Sequence, residues 1–212
     1  AAEAGIPQRT VGDAEIVELA VLALVNEGAL TLELGLPARA SDIDVILNGA
    51  GKVTFNPALD GALRTNVTGT RNLIAFAKRM KRPALVHTST CFVAGNRSGT
   101  IFEDEPVYGF FPKQAEMPGV TFDPEKEIAD CEALSARVRE EATDHLTLAK
   151  ITQAAREKLI AEGRDEDDPS ALSSAVHGER KAWMRARLTE LGIERALFWG
   201  WPNIYTYTKS LG

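Results

Sequence analysis

The chain has 212 residues, 44% of them hydrophobic and 25% charged, with a formal net charge of −6. That length suits one domain with a sizeable core, and the composition is that of an ordinary globular protein. The acidic balance argues against nucleic acid as the main partner, because phosphate binding wants a basic surface, and no apolar run reaches the about 18 residues that would span a bilayer.

The N-terminal stretch AAEAGIPQRTVGD has no basic region followed by an apolar one, so it does not read as a signal peptide. It begins without Met, which suggests a processed or cut start. Cys91 and Cys131 are the two cysteines. With nothing to suggest secretion, both read as reduced thiols of a cytoplasmic protein. His87, His145 and His177 are scattered without ligand spacing, and no metal site is expected.

Residues 14–34 mix Val, Leu and Ala with Glu. They suit a helix followed by a strand, and periodicity alone leaves this open. Residues 44–50 (DVILNGA) are clearer. A short aliphatic run closed by Asn-Gly reads as a buried parallel strand. Residues 59–80 repeat Leu63, Val67, Leu73, Phe76 and Ala77 at helical spacing, and Pro83 stops that helix. Residues 84–90 (ALVHTST) form the next strand. Strand, helix and strand in so short a stretch make a βαβ unit with a right-handed crossover. Ligands of such sheets bind at the carboxyl ends of the strands, which here are residues 48–51 (NGAG) and 88–90 (TST).

Residues 97–121 are rich in Gly, Pro and aromatics and read as loop. Asp123, Pro124 and Glu125 then open a helix, with an N-cap Asp, Pro at the first helical position and acids in the first turn. Ile128, Cys131, Leu134, Val138, Ala142, Leu146 and Ala149 follow at steps of three or four. One long helix is therefore expected, closed by Gly163 and the solvated loop RDEDDPS. Residues 179–191 make another amphipathic helix, ended by Gly192.

Tyr205 and Lys209 lie four apart in the last segment, WPNIYTYTKSLG. On a helix they share one face. Spacing alone is a weak signal, since a half-buried Tyr beside a surface Lys gives the same pattern. A Tyr that protonates a carbonyl near neutral pH needs its phenol acidified, and an ammonium one turn away does this. It also needs a hydroxyl to hold the carbonyl. Thr90, at a strand end, offers one. Asn66 sits on the crossover helix, where Asn is a mediocre helix former. Ala50 and Gly51 are small enough to let a cofactor approach the backbone, though a tight turn would use them equally.

The four stretches NGAG, NVTGT, HTST–CFVAG and YTYTK, in this order on one βαβ frame, resemble the extended short-chain dehydrogenase/reductases. Within them the chain is similar to the fatty acyl-CoA reductases, the male sterility type of NAD(P)-binding domain. The segments GWPNIYTYTKSLG and NGAGKVTFNPALDGALRTNVTGTRNLIAFAK carry that likeness. So do FDPEKEI at 122–128 and the 115 residues that separate Thr90 from Tyr205, where that family carries a long helical insertion. The resemblance covers roughly residues 25–212.

It implies a Rossmann-like, doubly wound parallel sheet with a long helical insertion. Residues 1–96 would be a partial core, 97–198 the mostly helical insertion, and 199–212 the start of the catalytic helix. It implies Tyr205, Thr90, Lys209 and Asn66 as catalytic residues. Ala50, Gly51, Asn66, Thr88, Tyr205 and Lys209 would touch an NADPH cofactor. The reaction implied is reduction of a long-chain fatty acyl-CoA, or acyl carrier protein thioester, to fatty aldehyde and on to alcohol, with peripheral membrane contact left open. The chain departs from the family in lacking its glycine-rich phosphate loop, so the first βα unit is expected to be missing and dinucleotide binding weak. It also departs at Gly28, which is followed by Ala29 rather than Asp. The competing readings are another extended reductase, acting on a carrier-bound thioester or a sugar nucleotide, and a non-catalytic fragment serving as an interaction module.

Overall fold

The computed structural model describes residues 18–21 and 43–212. Three strands, β1 (Glu18–Val21), β2 (Ile43–Asn48) and β3 (Leu85–His87), lie side by side in that order, all parallel. The expected strand at 44–50 is thus β2, and the one at 84–90 is β3. Of residues 14–34, the strand Glu18–Val21 is described and the rest, with Gly28 and Ala29, lies outside the described residues. Between β2 and β3 run α1 (Leu59–Leu63), a π-helical turn (Arg64–Thr68) and α2 (Gly69–Ala77). The helical spacing read over 59–80 is therefore correct, with a wider turn in the middle. A 3-10 turn (Cys91–Ala94) follows β3.

The described chain falls into two compact units. One holds the strands and residues Asn72–Thr88. There Ile46 packs with Leu73, Phe76, Ala77, Met80 and Leu85. Of β2, read from the sequence as a buried strand, one face is covered among the described residues. Ile46 and Asn48 are buried, while Leu47 is 38% exposed and its register partner Val86 is 54% exposed. The crossover supplies apolar side chains to the first face, and the second stays open among the described residues. Asn48 Nδ2 donates to His87 Nδ1 across the ladder at 2.8 Å.

The other unit holds Ala50–Arg71 and Ser89–Gly212. Its helices are α3 (Pro124–Glu141), α4 (His145–Ala161), α5 (Pro169–Trp199) and α6 (Ile204–Leu211). Its core gathers Leu59, Val67, Phe111, Ile128, Trp201 and Tyr207, among others. The single long helix expected after Asp123 is two helices. Asp144 interrupts it because its carboxylate accepts hydrogen bonds from Leu146 N and Thr147 N, capping a new helix. The run RDEDDPS is not wholly loop either. Asp168 accepts from Ser170 N with Pro169 at the first helical position, repeating the device at Asp123 and Pro124.

Gly192 does not end its helix. Helix α5 runs through it to Trp199 and stops at Gly200, whose φ of 102° is left-handed. Gly192 instead makes room, since a Cβ there would lie 2.7 Å from Ile204 Cδ1 and 3.2 Å from Leu59 Cβ. The absent side chain lets α6 and α1 close onto α5. Among the described residues no helix is long and apolar enough to cross a membrane.

Candidate active site

The segment WPNIYTYTKSLG folds as its residue types suggest. Trp201 is fully buried and its indole N–H donates to Val93 O at 2.7 Å. Asn203 caps α6 by accepting from Thr206 N at 2.9 Å. The first turn is tied to the loop after β2, with Tyr205 N donating to Phe55 O at 3.0 Å and Ile204 N to Asn56 Oδ1 at 3.4 Å. Tyr205 and Lys209 lie one turn apart on this helix. Tyr205 is half-buried, its ring 6.5 Å from that of Phe55. Lys209 is buried, at 6% exposure, and this burial pushes its ammonium pKa below the ordinary lysine value.

Lys209, Asn66 and Gly51 come together. A Cβ on Gly51 would stand 3.5 Å from Lys209 Nζ and 3.7 Å from Asn66 Oδ1. These are ordinary contact distances, so the three residues are neighbours without crowding. Asn66 lies in the π-helical turn and is 2% exposed. Its Oδ1 accepts from Lys52 N at 2.8 Å, and its Nδ2 donates to Thr208 Oγ1 at 2.9 Å and Lys52 O at 3.5 Å. One buried amide thus pins the loop after β2 to α6, one residue before the lysine. π-Helical turns recur at functional sites because they shift a side chain's register within a helix.

Thr90 caps the 3-10 turn, its Oγ1 accepting from Phe92 N at 3.3 Å, and is half-buried. Ala50 is buried at 8% exposure. Thr88 belongs to the strand unit, where its N–H donates to Asn48 O at 2.8 Å. A cavity of about 550 Å³ opens beside Lys209 and Ser210, walled by Cys91, Val93, Phe102 and Trp201. Of the expected residues, Lys209 reaches this cavity; Thr90 and Tyr205 are not in its wall. The neighbours of Thr90, Ser89 and Cys91, are.

One buried polar cluster escaped the sequence reading. Glu127, 3% exposed, receives two hydrogen bonds from Arg195 and one from the hydroxyl of Tyr207. Cys131 Sγ lies 3.1 Å from the same hydroxyl. The hydrogen bond from Arg195 to Glu127 raises the guanidinium pKa above its usual value. Burial raises the Tyr207 phenol and pushes the Cys131 thiol up to about 11. Glu127 falls four residues before Cys131 on the apolar stripe of α3. A carboxylate on an apolar face is the signal that could have revealed the cluster. Both cysteines are free, Cys91 exposed and Cys131 buried.

A family model described as male sterility protein, an NAD-binding family, matches residues 33–212. The chain is 28% identical over 172 residues to an alcohol-forming fatty acyl-CoA reductase of Simmondsia chinensis, covering 81% of this chain and 27% of that protein. It is 29% identical over 174 residues to the chloroplastic fatty acyl-CoA reductase 2 of Arabidopsis thaliana, covering 82% of this chain and 22% of that protein. It is 27% identical over 172 residues to fatty acyl-CoA reductase 8 of the same plant, again covering 81% of this chain and 27% of that protein. The chain thus spans about a quarter of the length of these curated relatives.

Proposed function

The chain belongs to the male sterility protein family of NAD-binding domains, and on that premise we propose that it carries the proton-donating helix of an NADPH-dependent reductase of long-chain fatty acyl-CoA thioesters. The observation that carries this reading is the meeting of Gly51, Asn66 and Lys209 beside a helix that presents Tyr205. These residues fit the nicotinamide-ribose end of a dinucleotide. A loop without a Cβ leaves room at the backbone, a buried ammonium supplies a hydrogen-bond donor, and a cavity opens alongside it.

When bound, the cofactor supplies the hydride. Tyr205 gives its phenolic proton to the oxygen of the substrate carbonyl. Thr90 has its acceptor side engaged by Phe92 N, which leaves its hydroxyl proton to donate to the developing oxyanion. Lys209, as an ammonium, stabilises the phenolate that remains and holds the ribose. Asn66 is a positioning residue whose clamp on Lys52 and Thr208 fixes Lys209 relative to Gly51. Ala50, buried beside Gly51 in the same loop, completes the cofactor side. The thiol of coenzyme A leaves after the first reduction to give the aldehyde, and a second round gives the alcohol. The resemblance supports NADPH over NADH, the Rossmann-like doubly wound fold, and the division into a core over 1–96, an insertion over 97–198 and a catalytic helix from 199. The test is NADPH oxidation by the full-length protein with palmitoyl-CoA, against palmitoyl-loaded acyl carrier protein. Turnover of the first supports the reading. Turnover confined to the second moves the protein to the carrier-bound reductases, and turnover of neither rejects it.

A further inference from the structure

A strip of positive charge on α5 has no structural task. Lys181 and Arg185 stand one turn apart and border an open groove of about 850 Å³. Among the described residues neither side chain has an ion-pair or hydrogen-bond partner. The nearby acids are already neutralised, Glu179 by Lys158 Nζ at 2.8 Å and Glu190 by Arg187 Nη1 at 2.7 Å. Glu190 is the one carboxylate in the groove wall, so the groove keeps a net positive charge. Ala182 and Ala186, each next in sequence to one of the cations, add apolar wall to the groove.

The other end of the groove reaches the loop that holds the first turn of α6. Ile193 and Asn56 border it there. Asn56 accepts from Ile204 N, and the preceding residue, Phe55, accepts from Tyr205 N. From residue 181 to residue 193 a helix rises about 18 Å. The groove therefore joins two free cations to the first turn of the proton-donating helix.

We propose that this groove binds the phosphorylated adenosine end of a coenzyme A thioester. Lys181 and Arg185 pair with its phosphates, and the pantetheine arm follows α5 past Asn56 toward Tyr205. The assignment rests on the acyl-CoA reading above and names the part of the substrate that the helical insertion recognises. Charge and scale both favour a nucleotide. Two cations one turn apart suit a compact polyanion, whereas the neutral Ala182, Ala186 and Thr189 around them do not suit the acidic face of a carrier protein.

The test titrates coenzyme A into the full-length protein and into its Lys181→Gln/Arg185→Gln variant by calorimetry. Affinity for coenzyme A is expected to fall about tenfold in the variant and to weaken with added salt in the wild type. In turnover, the preference for palmitoyl-CoA over palmitoyl-N-acetylcysteamine, which has no phosphate, is expected to fall by a similar factor. Equal coenzyme A affinity in the two proteins overturns the proposal. So does loss of acyl carrier protein binding with coenzyme A affinity unchanged, which would make the strip a protein-docking site. Coenzyme A binding that depends on Lys181 and Arg185 without any NADPH oxidation keeps the groove and rejects the reductase reading instead.

Discussion

Arg195 holds Glu127 through two parallel hydrogen bonds, Nε to Oε1 and Nη2 to Oε2, both 2.7 Å. The pair joins α5 to α3, and the Tyr207 hydroxyl on Glu127 adds α6. The helix bearing Tyr205 and Lys209 is thereby fastened to the helical insertion through a charge cluster inside the core.

Arg195→Ala should destabilise the protein by about 3 kcal/mol, because it leaves the Glu127 carboxylate buried without its counter-charge. Urea unfolding measures this. The double variant Glu127→Leu/Arg195→Met should recover at least half of the loss, since a matched apolar pair leaves no buried charge. A double variant as unstable as Arg195→Ala would show that packing of the arginine stem, not charge, matters.

Cys131 ties stability to alkaline pH. Burial holds its thiol near 11, against an ordinary value of 9.0. Between those values the unfolded thiol is ionised while the native one keeps its proton. The native state then binds more protons, and stability falls as pH rises, by up to about 3 kcal/mol. The buried Tyr207 phenol, also raised, adds loss of the same sign at still higher pH. Urea midpoints from pH 8 to 10.5 should fall steeply in the wild type and less steeply in Cys131→Ala. Parallel curves would contradict the assignment. Iodoacetamide should label the exposed Cys91 in the native protein and Cys131 only after unfolding.

Much of the strand frame was legible in the residues themselves. The aliphatic run before Asn48 and the Pro83 stop identify β2, the crossover and β3 by local chemistry alone. Asp123 with Pro124 announced α3 correctly. The same signature at Asp168 and Pro169 was hidden by the acidic run before it, which reads as solvated loop. Gly192 and Gly200 look alike in sequence. One provides space for Ile204 and the other a left-handed turn, and tertiary contact alone separates them. Within YTYTK, spacing to the lysine singles out Tyr205. The burial of Tyr207 against Glu127 depends on residues 80 positions apart, so no local pattern encodes it.

Gly192→Ala tests the close approach of α5 and α6. In an open helix the change would add about 1 kcal/mol of stability. Here the new methyl would meet Ile204 Cδ1 at 2.7 Å, and overpacking should reverse the sign to a net loss of about 1 kcal/mol. Adding Ile204→Val, which removes the crowding carbon, should restore part of it. A stabilised Gly192→Ala protein would mean that this glycine is not a packing device.

The central claim is that Tyr205 donates the proton and Lys209 supports it from the next turn. The direct measurement is NADPH oxidation with palmitoyl-CoA by full-length Tyr205→Phe protein, whose fold is checked by an unchanged urea midpoint. Loss of general acid catalysis predicts a fall in turnover of about 100-fold or more. Turnover within a few-fold of the wild type would contradict the account.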